Sequence, residues 1–347
     1  MRAPYARNVA LDQPWTTPRP RPLLRCATVA TDRGTPLDQL EVVGPLATEE
    51  VRSVAVLVEA ATEADGVRPL SEHVMLHLRY GGDAPVRNFL LYADGTLVAY
   101  GHLDVTDEVA GASAELVVAP GHRRRGFGRR MVDAMLAEAP RGRLRLWAHG
   151  GLPDARELAA SLGFETARSL WQMRRSLYAA LPAPAWPEGV RVRTFVPGQD
   201  EQAWLTVNAA AFGDHPEQGG WTLSDLQHRM AERWFDPAGF FLAERGDGVD
   251  TRLVGFHWTK VHGSHDADHE HPHGHDPIGE VYVVGVHPSE RGAGLGKALT
   301  LAGLRHLRKL GLPDAMLYVD EDNDSAIRLY TALGFTRWEV DVMFSRG

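Results

Sequence analysis

Apolar positions along the chain follow two alternating rhythms, and the same series of rhythms occurs twice. In LATEEVRSVAVLVEAATEADG the spacing is helical: Thr48 is placed to cap, Glu49 and Glu50 fall in the first turn, and Gly66 lies just past the end. A second short helix is expected from Ser71. NFLLYADGTLVAYGHLDV then alternates about Asp94-Gly95, the dipeptide of a tight hairpin. The strand AELVVAP, a glycine-containing basic turn, a helix from about Gly126, the strand RLRLWA, a helix over Ala155–Leu162 and a strand over Ser169–Arg174 complete the first series. Residues 180–189, ALPAPAWPEG, hold three prolines and a glycine and read as a stiff linker. After them come helices near 199–212 and 222–233, the strands FFLAE, LVGFHWTKV and EVYVVGV, and then turn, helix, strand, helix, strand.

Residue numbers test the repetition. Val118-Ala119-Pro120 and Val286-His287-Pro288 stand 168 apart, as do Gly126/Gly294 and Gly128/Gly296. Leu162-Gly163-Phe164 and Leu333-Gly334-Phe335 stand 171 apart, so three residues have entered between the matches. Two ordered matches, each in a strand–turn–helix setting, describe a duplicated α/β unit. The expected organisation is a leader over 1–40, a first domain over 41–179, the linker 180–189 and a second domain over 190–347. Met1–Arg25 has five prolines and five arginines without periodicity, and so offers too little apolar surface to order itself.

Composition narrows the class. Lys+Arg 37 against Asp+Glu 45 gives a net charge of −8, which disfavours general adhesion to nucleic acid or anionic membranes. The one cysteine, Cys26, allows neither an internal disulfide nor a cysteine-based zinc cage. With neither a membrane-length apolar run nor a signal-like apolar core near the N-terminus, a cytoplasmic protein is expected.

The segment EVYVVGVHPSERGAGLGKALTLAGL carries the chemistry. A β-branched strand breaks at Pro288, and Arg291-Gly292-Ala293-Gly294-Leu295-Gly296 leads into a helix with an apolar stripe at Leu295, Ala298, Leu299 and Ala302. Glycines at a helix start let backbone N–H groups converge on a pyrophosphate at the positive end of the dipole. A tight turn needs glycine too, and the spacing is neither a Walker A loop nor a dinucleotide fingerprint. The turn resembles the [R/Q]-x-x-G-x-[G/A] signature of the GNAT acetyltransferase superfamily. That superfamily's partner segment is matched by Asn323, Ala326, Tyr330, Gly334 and Phe335 in NDSAIRLYTALGF. HPEQGGW (His215–Trp221), GFHWTKVH (Gly255–His262), GEVYVVGV and LYVDEDN further resemble the mycothiol synthase family, over roughly residues 45–345.

The resemblance implies two tandem GNAT domains of α/β class, each a mixed, mostly antiparallel sheet flanked by helices. It also implies acetyl-CoA as cosubstrate and the cysteinyl amine of a cysteine–glucosamine–inositol conjugate as acceptor. An amine that arrives largely protonated needs a base, and the departing thiolate gains from an acid. Glu280 is the implied base and Tyr330 the implied acid, although a strand-edge carboxylate and a core tyrosine are the plainer readings. Val284, Gly285 and Val286 would pair with the pantetheine arm, and backbone N–H groups there would meet the acetyl oxyanion. Arg291, Gly292, Ala293, Gly294, Leu295, Gly296 and Lys297 would hold the pyrophosphate. Asn323, Asp324, Ser325, Ala326, Ile327 and Arg328 would line the arm's other side, with Asn323 also a fitting helix cap. Family correspondence gives Glu72, Glu217, Lys260, Glu280 and Tyr318 as contacts to the sugar conjugate.

The first half keeps Leu116, Val117, Val118 and the turn Arg123, Arg124, Arg125, Gly126, Phe127, Gly128 as a second candidate acetyl-CoA site, with Arg129 and Arg130 beside it. A solvated basic helix face is the alternative. Offset by 171, Tyr330 falls on Ala159 and Tyr318 on Trp147; offset by 168, Glu280 falls on Ala112. The first half is therefore expected to bind without turnover and to serve as scaffold. His262, His265, His269, His271, His273 and His275 form a run without fixed ligand spacing, read as a solvated hairpin tip, and no metal is expected. A monomer acting on small molecules, without nucleic acid or membrane, is the expectation. Acetylation of a different amine, a non-catalytic acetyl-CoA sensor and a metal buffer are the competing readings.

Overall fold

The computed structural model describes residues 38–81, 86–106, 111–213, 216–263 and 277–347. The expected leader, the side chain of Glu217 and His265–His275 of the histidine run lie outside the described residues.

In chain order the first half contains β1 (Gln39–Val43), α1 (Thr48–Asp65), α2 (Glu72–Tyr80), β2 (Val86–Ala93), β3 (Thr96–Asp104), β4 (Ala112–Val118), α3 (Phe127–Glu138), β5 (Leu144–Ala148), α4 (Pro153–Ser161) and β6 (Glu165–Ser176). The second contains β7 (Val190–Thr194), α5 (Glu201–Ala211), α6 (Pro216–Gly219), α7 (Leu223–Met230), β8 (Phe240–Arg245), β9 (Arg252–His262), β10 (Ile278–Val286), α8 (Leu295–Lys309), β11 (Asp314–Asp320), α9 (Asp324–Ala332) and β12 (Thr336–Arg346). Local chemistry accounts for the boundaries. The α1 cap is Ala47 rather than Thr48, because the Glu50 carboxylate reaches back to accept from the Ala47 N–H at 2.6 Å. The helix expected from Ser71 begins at Glu72 with Ser71 as its cap, and Asp94 and Gly95 have φ of 51° and 75°, the double positive φ of a type I′ turn.

The twelve strands among the described residues form one sheet in the order β1-β2-β3-β4-β5-β12-β6-β11-β10-β9-β8-β7. The order is symmetric about the antiparallel β6–β12 pair, and each half's closing strand completes the other half's sheet. β12 pairs with β5 (Val342↔Ala148), while β6 pairs with β11 (Tyr318↔Gln172). The linker is tied down, with Arg305 donating to the Leu181 carbonyl at 3.1 Å. Helices cover both faces: Met131, Val132 and Met135 of α3 pack on Leu91, Leu103 and Leu146. Leu301, Leu304 and Leu307 of α8 pack on Val281 and Leu317. At one close approach of α8 to the sheet, only glycine fits. A Cβ on Gly303 would lie 2.0 Å from the buried His257 ring, whose burial pushes its pKa down to about 4 and keeps it neutral.

Candidate active site

The glycine turn of the second half enters α8 at Gly294. Gly292 and Gly294 have φ of 84° and 82°, and a Cβ on either would meet no atom within 4 Å. Conformation rather than crowding selects glycine there. The first amides of α8 have no helical partner, so the turn and helix start present N–H groups suited to a pyrophosphate.

β10 and β11 run parallel only through Gly279↔Ala315 and Glu280↔Met316, after which they have no register with one another. β10 is bulged between Val281 and Val283 and stays paired to β9 on its other edge, Val284 opposite His257 and Val286 opposite Gly255. The β11 side of Val283–Val286 is thus a strand edge with no neighbouring strand, which an extended amide-bearing arm can join by main-chain hydrogen bonds.

Beside this opening lies a cleft of about 2720 Å³, several times the roughly 300–1,000 Å³ of a drug-sized site, with room for two substrates together. Glu280 and Tyr330 both line it, as do Glu72, Lys260, Val284, Arg291, Tyr318, Asn323 and Ala326. Gly285, Val286 and Gly292–Lys297 are not among its walls, nor are Leu116–Val118 and Arg123–Gly128 of the first half.

Glu280 is buried at the last position of β10 that pairs with β11. His262 donates to its carboxylate at 2.6 Å. Burial alone would raise its pKa, but the His262 hydrogen bond and the nearby charges of His262 and Lys260 outweigh it and hold the carboxyl below its ordinary value. Tyr330 packs edge-on against Phe335 at 5.8 Å, and burial pushes its phenol up to about 12, so it stays protonated at neutral pH. Tyr318 accepts a hydrogen bond from Gln172 at 2.9 Å, a contact created by the strand exchange. Its pKa is raised by burial and then by the charge of Glu280.

Lys260 and Glu72, expected to meet substrate from opposite halves, form an ion pair with each other. The Lys260 ammonium also sits 4.6 Å from the Trp234 ring centroid and 5.1 Å from that of Tyr282. α2 brings Glu72 there. Its other end is held by Arg79 and Tyr80, which both donate to Glu232 of the second half. Sequence reading missed this aromatic wall, which also includes Trp221 beneath Arg229 at 3.8 Å. Tryptophan spacing carries no sign of which rings will converge. Asn323 caps α9 by accepting from the Ala326 N–H at 3.1 Å, the plainer of its two readings.

In the first half β4 and β5 separate after Ala114↔Leu146. Its basic turn is tied to the protein: Arg123 pairs with Asp65 (2.6 Å), Arg124 with Glu157 (2.8 Å), and Arg129 and Arg130 donate to Ser161 and Asp38. Arg124, in the position of Gly292, has φ of 61°. Ala112 and Ala159 are buried methyls where the second half has Glu280 and Tyr330. A buried acid–base group is present nonetheless. Glu115 accepts from the Ser71 N–H at 2.6 Å and lies 3.5 Å from His149, which meets Asp341 of β12 at 3.0 Å. Burial works against the charged imidazole, but the two carboxylates outweigh it and raise His149 to about 10. Asp341 is some two hundred positions away in sequence, and only the strand exchange brings it here. His262 also departs from its expected place in a solvated loop tip, because it is the last residue of β9 and faces Glu280. Among the described residues no group of three or more His, Cys, Asp or Glu is arranged to hold a metal, and no helix is long and apolar enough to cross a membrane.

Two glycine-turn helices, each following a strand that parts from its parallel neighbour, define a tandem acetyl-CoA-dependent N-acetyltransferase, and the profile for "Acetyltransferase (GNAT) family" matches residues 56–164 and 204–335. A GCN5-related N-acetyltransferase from Sphaerobacter thermophilus superposes with a TM-score of 0.61 at 27% identity, covering 88% of this chain and 95% of that one. A tandem GNAT protein from the clavulanic acid biosynthesis pathway shares the fold with a TM-score of 0.63 at 22% identity, covering 89% and 98%. The chain belongs to the mycothiol acetyltransferase family within the GNAT proteins. It is 56% identical over 336 residues to the mycothiol acetyltransferase of Streptosporangium roseum, covering 87% of this chain and 98% of that protein. It is 60% identical over 294 residues to that of Thermobispora bispora, covering 85% and 95%.

Proposed function

We propose that this protein moves the acetyl group of acetyl-CoA onto the cysteinyl amine of 1D-myo-inositol 2-(L-cysteinylamino)-2-deoxy-α-D-glucopyranoside, yielding mycothiol and CoA. The observation that carries the reading is the shared cleft. An ionised buried carboxylate, Glu280, and a protonated phenol on the half-buried Tyr330 line it beside the unpaired edge of Val283–Val286.

Acetyl-CoA supplies the thioester carbonyl. Glu280 takes the proton from the arriving ammonium, directly or through one water, and the free amine attacks the carbonyl carbon. Backbone N–H groups of the splayed strand stabilise the charge that develops on oxygen. Tyr330 protonates the sulfur as the C–S bond breaks, and the second proton given up by the acylated nitrogen restores the phenol. Lys260, Glu72, Tyr318 and Glu217 hold the polyhydroxylated acceptor. Val284–Val286 bind the pantetheine arm, Arg291–Lys297 the pyrophosphate, and Asn323–Arg328 flank the arm.

Catalysis belongs to residues 190–347. Residues 41–179 are scaffold, with the turn at Arg123–Gly128 and the strand Leu116–Val118 able to hold acetyl-CoA without turnover. Support comes from the alanines at both catalytic counterparts and from Glu115 being occupied by Ser71 and His149. The protein acts as a cytoplasmic monomer and needs no metal, nucleic acid or membrane. Mass spectrometry after incubation with acetyl-CoA and the conjugate tests the reading. One acetyl group on the cysteinyl nitrogen is expected; acetyl-CoA consumption only with other amines would overturn it.

A further inference from the structure

We infer that His262 is the proton-exit and positioning residue for Glu280. The inference rests on the proposed role of Glu280 as base. Acetylation of an ammonium removes two protons from nitrogen. One ends on the CoA sulfur and the other must reach solvent. Glu280 lines the cleft but is only 6% exposed, so while both substrates fill that cleft a proton it accepts has no direct route to bulk water. Among the described residues, the hydrogen bond to its carboxylate comes from His262, whose Nε2 lies 2.6 Å away. The His262 side chain is 35% exposed, so the ring spans the boundary between carboxylate and water. For the proton to pass, the hydrogen bond must reverse. The His262 Nε2–H donates while Glu280 is ionised, and once Glu280 is protonated its O–H donates to Nε2 of the Nδ1–H tautomer. The imidazole then accepts there and releases from Nδ1, which a neighbouring lysine cannot do.

The surrounding charges favour this route. Lys260, two residues earlier on β9, is held by Glu72 of α2 and lies against Trp234 and Tyr282. It therefore contributes charge but no path. Tyr318 on β11 bonds to Gln172, and Tyr282 on β10 to Arg229. Through the hydrogen bond His262 also fixes which carboxylate oxygen turns toward the cleft.

The test compares the full-length protein with His262→Gln and His262→Ala on whichever amine the parent acetylates, so that an error in the acceptor assignment leaves the comparison intact. His262→Gln keeps a donor but carries no proton. It is expected to lower kcat by about ten- to a hundredfold with KM for acetyl-CoA within about twofold, and to change the pH profile of kcat. Added imidazole is expected to restore turnover to His262→Ala in proportion to its concentration. Parent-like kcat and pH profile in both variants would overturn the inference. So would a loss that imidazole does not rescue and that appears equally in KM, because a purely structural contact would behave that way.

Discussion

Replacing His149 by Asn removes the imidazolium that pairs with two carboxylates, Glu115 and Asp341, one from each half. In the folded protein the ring meets Asp341 at 3.0 Å and Glu115 at 3.5 Å, with 14%, 10% and 9% of the three side chains exposed. Removing one partner of a buried ion pair costs about 3–5 kcal/mol. Here Glu115 keeps the Ser71 N–H and Asp341 keeps the Gly150 N–H, so the lower figure applies. At roughly 2 °C per kcal/mol for a chain of this size, the melting temperature should fall by about 6 °C. The pH dependence identifies the cause. Because the folded pKa of His149 is raised to about 10 from 6.5, its contribution is complete below pH 6.5 and fades as pH climbs towards 10. Glu115 is shifted the other way, so its share is present above its ordinary 4.5 and is lost as pH falls through its lower folded value. Thermal melts of parent and variant should thus be furthest apart between pH 4.5 and 6.5 and converge near pH 10. A difference under about 1 °C, or one that persists unchanged at pH 10, refutes the assignment. The cluster also reaches the active site, since Glu115 holds the cap of α2 and the next residue, Glu72, meets Lys260.

Tyr330→Phe should lower kcat by about a hundredfold while leaving the melting temperature unchanged, because no hydrogen bond to its phenol is seen among the described residues; equal kcat for the two proteins would remove Tyr330 from the chemistry. With the phenol at about 12 and the Glu280 carboxyl held low, neither group should place a limb near neutrality in the kcat/KM profile, and a limb there is expected to follow the substrate amine. Gly292→Ala forces a side chain into φ of 84° at a cost of about 1–2 kcal/mol, and should raise KM for acetyl-CoA more than tenfold if the turn deforms; an unchanged KM would show that the turn does not hold the pyrophosphate. Glu72→Gln and Lys260→Met, singly and together, should couple by about 0.5–3 kcal/mol in kcat/KM for the acceptor, and strict additivity would show that the pair does not act as a unit.

Short-range chemistry was the legible part of this protein. Both glycine turns, the Asp94-Gly95 hairpin and the start of the helix near Ser71 are set within windows of a few residues, and each appears in the structure where spacing placed it. The exchange of β6 and β12 was not legible, since both strands have the alternation of any sheet strand and nothing in that pattern names a partner. Everything that depends on the exchange was hidden with it: the Gln172–Tyr318 bond, and Asp341 beside His149. His262 was visible but misassigned, because its neighbours in sequence are a histidine-rich run while its neighbour in space is Glu280. The arginines at 123–130 looked equivalent to one another, and only the fold reveals that Asp65 and Glu157 engage two of them.

The most direct measurement is a single-turnover assay with acetyl-CoA and the cysteine–glucosamine–inositol conjugate, run on three proteins: the parent, the Glu280→Gln/Tyr330→Phe double variant, and a variant altered at Arg123–Gly128. Rapid N-acetylation by the parent and the Arg123–Gly128 variant, with turnover at least a thousandfold slower in the double variant (of the order set by losing both proton-transfer groups), is the predicted outcome. Undiminished turnover in the double variant, together with its loss on altering Arg123–Gly128, would place the chemistry in the other half and contradict the account.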